Sequence, residues 1–112
     1  MTELHITLIT ESYRQNYLLS NITPADDHSD MVCRLVKGWL QYLPKEERII
    51  FYEYHIKRQS LQQIASNMKK RWDLENYRTT HELELRLSWA IQRILSLMDE
   101  QFPDFDLQYA LT

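Results

Sequence analysis

A cluster of positive charge is the clearest chemical feature of this 112-residue chain. Lys69, Lys70 and Arg71 are consecutive, Trp72 follows directly, and Arg78 lies a short segment further on. Cations beside aromatic rings suit contact with the phosphate backbone of a nucleic acid. The alternative is a solvated basic helix end, where positive charge complements the helix dipole.

The net charge of −3 is not that of a typical nucleic-acid binder, but the charge is unevenly distributed. Counting Lys and Arg against Asp and Glu, residues 1–44 carry −2, residues 45–93 carry +3 and residues 94–112 carry −4. The basic stretch is the one that contains the cationic cluster. Because a one-sided basic surface matters more than total charge, this asymmetry favours contact with DNA.

The sequence lacks the patterns that indicate catalysis or metal binding. Its four histidines are far apart and have no metal-ligand spacing with Cys33, the single cysteine. The only glycine, Gly38, leaves no glycine-rich loop to hold a phosphate. We therefore expect no enzymatic activity, no cofactor and no metal. Cys33 falls on a predicted helix, where we expect a buried thiol in a reducing cytoplasm.

Composition predicts an all-α fold. Hydrophobic residues make up 44% of the chain, and a single Gly with three Pro argues against a turn-rich β protein. No apolar run is long enough to span a bilayer, so we expect a cytoplasmic protein without a membrane partner. We predict about five helices, divided into a helical arm and linker at 1–29, a helix-turn-helix domain at 30–102 and an acidic, aromatic tail at 103–112.

The first third of the chain predicts two helices. Hydrophobic spacing favours a helix from about Thr7 to Ser20, although Leu4, Ile6 and Leu8 also alternate like a short strand, and that alternative stays open. A polar linker follows. A second helix is predicted from Asp30 to Tyr42 with one apolar side.

Two short helices joined by a bend are predicted next. Pro44 suits a helix start, where no backbone N–H donor is needed, and Glu46 and Glu47 would lie in the first turn. Ser60 is a candidate N-cap for the second helix, whose apolar residues recur at spacings of 3, 4 and 7 up to Met68.

This part of the chain resembles the start of region 4 of sigma-70-type factors. The resemblance rests on Leu43, Pro44 and Arg48, followed by Ser60-Leu61 and Ile64-Ala65. Over roughly Trp39 to Leu97, the chain is similar to the ArpU/RinA type of phage late-gene transcription activators. The resemblance implies a helix-turn-helix in the second half, binding to double-stranded DNA near a promoter, and contact with RNA polymerase.

A long helix from Thr80 to Phe102 is predicted to contain the residues that read base edges. It begins later than the resemblance implies, so Lys69–Arg78 forms either an enlarged, wing-like turn or an added helical turn. Glu82 and Glu84 argue against DNA reading by this helix, because carboxylates repel phosphates.

Ser60, Gln62 and Gln63 are predicted to contact backbone phosphate, with ordinary helix capping as the alternative. The complete set of predicted DNA-binding residues is Ser60, Gln62, Gln63, Lys69, Lys70, Arg71, Arg78, Thr79, Thr80, His81 and Arg86.

The sequence thus predicts a sequence-specific DNA-binding transcription regulator, encoded by a phage or mobile element. The alternative is a protein-interaction module, such as a phage-encoded inhibitor or adaptor of a host complex. The acidic chain ends and the two glutamates fit that alternative better than they fit DNA. A homodimer is also expected, because the long helix and the aromatic tail offer more apolar surface than one small domain needs.

Overall fold

Helices account for the regular structure of the part of the chain that the structure describes. The computed structural model describes residues 1–15, 27–71 and 80–111, with the backbone alone at 27–29, 69–71, 109 and 111. The α-helices are α1 (Glu3–Tyr13), α2 (Asp27–Tyr42), α3 (Lys45–Phe51), α4 (Leu61–Arg71), α5 (Thr80–Gln101) and α6 (Leu107–Leu111). A π-helical segment, Tyr52–Ile56, continues α3. No strand occurs in the described ranges, so the predicted all-α class is confirmed.

Helix α1 begins at Glu3, four residues before the predicted start at Thr7. A capping box sets this start: the Thr2 hydroxyl accepts from the His5 amide, and the Thr2 amide donates to Nδ1 of His5 at 3.0 Å. The strand alternative is therefore wrong, because the alternating residues lie in a capped helix. The predicted end at Ser20 lies outside the described residues.

Helix α2 begins at Asp27, three residues before its predicted start, and ends at Tyr42 as expected. Trp39 is 1% exposed, and its indole N–H donates to the Met98 sulfur at 3.3 Å. Cys33 is buried, as predicted, and burial raises the pKa of its thiol.

The two short helices take the predicted form. Pro44 occupies the N-cap position of α3, and α4 begins directly after Ser60. The bend between them passes through Arg58, whose φ of 61° is left-handed, a conformation that costs a non-glycine residue about 1 kcal/mol. The assignment of α3, α4 and α5 to a helix-turn-helix stays a prediction.

Helix α5 ends at Gln101, two residues before Pro103. The chain then turns, and α6 brings Ala110, 2% exposed, against α1 and α2. The residues predicted as an arm and a tail both contribute to the packing of this end of the molecule. Within the described ranges, no helix combines the length and apolar character needed to span a membrane.

The buried side chains form two clusters that lie along α5. The large core joins α1, α2, α6, the end of α3 with the π segment, and the C-terminal part of α5. Its members are Ile6, Ile9, Tyr13, Val32, Cys33, Val36, Trp39, Leu43, Phe51, Ile56, Ala90, Ile91, Ile94, Leu97, Met98 and Ala110. The small core joins α3 and α4 to the N-terminal part of α5. Its members are Ile50, Ile64, Met68, Leu83 and Leu87.

Candidate nucleic-acid interface

Helix α4 is attached to the rest of the molecule along one side. Ile64 and Met68, four residues apart, are fully buried in the small core, and Leu61 and Ala65 pack partly against it. These contacts reach α5 and the π segment. On the opposite side of the helix, the described residues Gln62, Gln63 and Ser66 face solvent.

The solvent-facing side of α4 carries amides and hydroxyls. Gln62, Gln63 and Ser66 are exposed, Asn67 is half-buried, and together with Ser60 they surround a shallow depression. Gln62 and Ser66 are four residues apart, as are Gln63 and Asn67, so the four residues form two neighbouring rows on the helix. We call this surface the amide face.

Two members of this surface already have a local role. The Ser60 hydroxyl accepts from the Gln63 backbone amide at 3.1 Å, and the Gln63 side-chain carbonyl accepts from the Ser60 amide at 3.0 Å. This reciprocal capping box starts the helix. Helix capping by Ser60 and Gln63 is therefore the alternative role that the sequence predicted. Gln62, Ser66 and Asn67 are the members of the amide face best placed to contact a ligand.

No acidic residue occurs between Ser60 and Arg71. Lys69, Lys70 and Arg71 form the last turn of α4, so the helix continues through the first part of the segment predicted as an enlarged or additional turn. Their side chains, and the whole of Arg78 and Thr79, lie outside the described residues. Lys70 follows Ser66 by four residues, which continues the helical spacing of the amide face.

The start of α5 is less suited to DNA than the sequence suggested. Thr80 is half-buried and His81 is exposed, but Glu84 and Leu85 are exposed one turn later. An exposed carboxylate and an exposed leucine are not typical of a helix inserted in the major groove.

Arg86 lies with its guanidinium 4.7 Å from the centre of the Trp89 ring, within the range of a cation–π contact. It is partly buried, whereas Trp89 is 46% exposed. Together with Leu85, these side chains form an amphipathic surface on the N-terminal half of α5.

Several cations of the basic stretch are paired with carboxylates. Arg58 donates to Glu11 at 2.8 Å, and the Lys57 ammonium lies 3.6 Å from a carboxylate oxygen of Glu53. These pairs reduce the positive surface that the charge count predicts.

A further pair joins α3 to α5. Nε of Arg93 lies 2.7 Å from Oε2 of Glu47, a side chain with 3% exposure. That oxygen accepts no hydrogen bond from the described residues, so the contact is ionic and not an aligned hydrogen bond. In the sequence, Glu47 was recognised only as an acidic residue of the first turn of α3, and its burial was missed.

His55, in the π segment, lies beside Glu11 and Arg58. Its ring packs on Phe51, with 4.7 Å between ring centres, and meets the Tyr54 ring edge-on. Burial, with the nearby Arg58 guanidinium as a second cause, lowers the pKa of His55 to about 4. The ring is therefore neutral at physiological pH and adds no positive charge to the surface.

Ser66 and Asn67 were missed in the sequence. The signal for them was their spacing of four residues from Gln62 and Gln63, together with the absence of any acidic residue on α4. Among the described residues, no group of three His, Cys, Asp or Glu side chains is arranged to hold a metal.

The chain matches no family model, and it shows no significant similarity to a curated protein or to a solved structure. The resemblance to sigma-type regulators therefore stays a prediction from the residues that carry it.

Proposed function

We propose that this chain is a DNA-binding transcription regulator that presents the amide face of α4 to double-stranded DNA. The observation that carries the proposal is a helix attached along one side, free of acidic residues, with amides outward and three consecutive cations in its last turn. Its 11 residues make it about 16 Å long, and a helix of this kind fits the major groove.

The two parts of α4 have different tasks in this proposal. Gln62 and Asn67 face base edges, where a side-chain amide makes a bidentate pair with adenine. Lys69, Lys70 and Arg71 contact phosphates, which supplies affinity without sequence preference. The sequence alone suggested that α5 reads the bases, and the exposed Glu84 and Leu85 are the reason for assigning that task to α4.

Dimerisation and contact with RNA polymerase belong to the same proposal. Contact with the polymerase rests on the resemblance to phage late-gene activators. Dimerisation rests on the exposed apolar side chains of α1, Leu4 and Leu8. A regulator of this kind would act in the cytoplasm.

The test is a salt titration of binding to a pool of genomic DNA fragments. The parent chain is expected to enrich particular fragments, with affinity that falls steeply as salt rises. Replacing Lys69, Lys70 and Arg71 by Ala is expected to lower the slope of log affinity against log salt by about 2 to 3, since each phosphate contact contributes about 0.9. The matched control replaces Arg34, Lys37 and Lys45, three exposed cations outside α4, by Ala.

A double replacement of Gln62 and Asn67 by Ala separates base reading from phosphate contact. The variant is expected to bind the different fragments with more similar affinities, while the slope of log affinity against log salt stays unchanged. Unchanged enrichment in this variant would contradict base reading by α4.

The amphipathic surface of α5 favours a second candidate, a protein-interaction module that does not bind DNA. Leu85 and Trp89 are 42% and 46% exposed, and Glu84 lies beside them. Aromatic and apolar side chains next to charge are typical of protein contacts. Absence of DNA binding even at low salt, by a folded chain, would favour this candidate over the first.

A further inference from the structure

A wide apolar groove lies at the opposite end of the molecule from the start of α5. It has a volume of about 800 Å³ and runs between α2, the end of α5 and the turn before α6. Trp39 and Leu97 form its floor, and Tyr42, Phe102 and Phe105 form its walls. The groove does not include any residue of the amide face.

The α2 side of the groove has the periodicity of a docking surface for a helix. Met31, Leu35, Gly38 and Tyr42 recur at spacings of four, three and four residues and line it in a single row. This row is about 16 Å long, which matches three turns of a partner helix.

Gly38 leaves a gap in the middle of that row. A Cβ atom built on Gly38 would meet no other atom within 4 Å, so no other described helix of this chain uses the close approach that glycine permits. Glycine inside a helix costs about 1 kcal/mol relative to alanine. Open space above such a residue is what a partner backbone or a large anchoring side chain would fill.

The groove lies in a negative environment. No Lys or Arg occurs in residues 94–112, whereas Asp99, Glu100 and Asp104 are exposed on or beside the end of α5. Helices α2 and α5 both end at the groove, with no basic residue in the last turn of either. Two negative helix ends, and the Asp104 carboxylate in the turn between the lining residues Phe102 and Phe105, favour a cationic occupant.

One cation does line the groove, but it is neutralised. Arg34 on α2 lies 2.9 Å from Asp30, one turn earlier in the same helix. The pair is exposed and adds no net charge to the rim.

We propose that this groove binds an amphipathic helix of another protein, with two or three large apolar side chains in the groove and Lys or Arg along its flanks. A second copy of this chain is a poorer occupant. The exposed apolar pair on α1, Leu4 and Leu8, is accompanied by the exposed Glu3, which would meet like charge beside the groove. This docking uses a surface separate from the amide face, because the groove lies at the C-terminal end of α5, whereas α4 packs against the N-terminal part of that helix.

The test uses a fluorescent 16-residue peptide with Leu at spacings of three and four residues and Lys elsewhere, titrated with the full chain. Two control peptides are a scrambled sequence of the same composition and a version with Glu in place of Lys. The Lys peptide is expected to bind at least about tenfold more tightly than either control. Equal binding of the Lys peptide and its scrambled version would overturn the proposal. It would mean that the acidic chain attracts any cationic peptide, whatever the spacing of its leucines.

The deciding variant is Gly38→Leu, with Gly38→Ala as its matched control. Leucine is a better helix former than glycine, and the site has room for its side chain, so the free variant is expected to melt no lower than the parent. It is expected to lose peptide binding by at least about tenfold, whereas Gly38→Ala keeps most of it. Unchanged binding by Gly38→Leu would overturn the assignment of the groove.

Self-association is measured on the same variants by light scattering. A parent dimer that Gly38→Leu converts to a monomer would assign the groove to a second copy and overturn the proposal. The same oligomeric state for parent and variant, together with selective peptide loss, would support it.

Discussion

The two halves of α5 pack in very different surroundings. Among the described residues, the C-terminal half lies in the large core, where sixteen buried residues from α1, α2, α3, the π segment, α5 and α6 meet. The N-terminal half lies in the small core, where five described buried residues hold α3 and α4. Within the described part of the chain, one continuous helix therefore connects an end that packs against many buried residues to an end that packs against few.

This difference indicates how stability is distributed. Free energies of local opening follow the density of buried apolar contacts, so α4 is expected to open more readily than α2. The proposed DNA surface lies on α4, and the proposed docking groove lies beside the large core. In this arrangement, α4 can adjust its position when it contacts DNA. The groove beside the large core keeps its shape when a partner helix binds.

The junction between the two cores contains buried charge. Glu47 on α3 and Glu53 in the π segment are 2% and 4% exposed, and each has one carboxylate oxygen without a hydrogen bond within the described chain. Buried carboxylates of this kind are costly unless paired. The junction is therefore the part of the molecule most sensitive to the loss of a single cation.

The largest expected effect comes from truncating the large core. Ile94 is fully buried, and Ile94→Ala is expected to lower the free energy of unfolding by about 2–5 kcal/mol, through lost burial and the cavity that remains. Typical domains are stable by about 5–15 kcal/mol, so the melting temperature should fall sharply. Thermal unfolding followed by circular dichroism measures this loss.

The matched variant is Ile64→Ala in the small core, since Ile64 is equally buried. Here hydrogen exchange is expected to accelerate mainly in α4, while amides of α2 and of the C-terminal half of α5 keep their protection. Equal acceleration throughout the molecule would show that the two cores unfold as one unit, and the contrast between them would be lost.

The sequence predicted the α4–α5 side better than the junction. Pro44, Ser60 and Pro103 mark helix boundaries by local rules, and the apolar spacing around Ile64 and Met68 identified the buried side of α4. Such features depend on near neighbours in the chain and can be predicted from them.

The start of α1 was missed for a local reason: the Thr2 amide donates to the His5 side chain, and histidine is not the usual partner in a capping box. The other features that were missed depend on contacts between distant residues. Burial of Glu47 depends on Arg93, which is 46 positions away in the sequence. The groove depends on α2 meeting the end of α5, which hydrophobic periodicity within one helix cannot show.

A smaller effect is expected from removing the cation at the junction. Arg93→Leu leaves the Glu47 carboxylate buried without its partner, which is expected to cost about 1–3 kcal/mol in unfolding free energy. Adding Glu47→Gln to this variant should restore part of that loss, because the uncompensated charge is gone. Denaturant unfolding of the two single variants and the double variant gives the coupling energy, and simple additivity would show that the pair does not interact.

The smallest effect is expected from the titration of His55, in the π segment that contacts α1, α3 and α4. Because the folded pKa is lowered to about 4 from 6.5, the unfolded chain takes up a proton below pH 6.5 that the folded chain excludes. The free energy of unfolding should therefore fall as pH falls from 6.5 to about 4, by roughly 1–2 kcal/mol after allowance for partial exposure.

The control for this titration is His55→Phe, which keeps a ring against Phe51 and removes the proton site. Glu11 and Arg58 line the same pocket, and the difference between parent and variant removes their contribution. Denaturant unfolding at intervals between pH 4 and pH 7 should show a smaller dependence on pH in the variant. If the free energies of unfolding of parent and variant changed in parallel with pH, the pKa of His55 would be the same in the folded and unfolded chains. The loss of stability in acid would then come from other titrating groups.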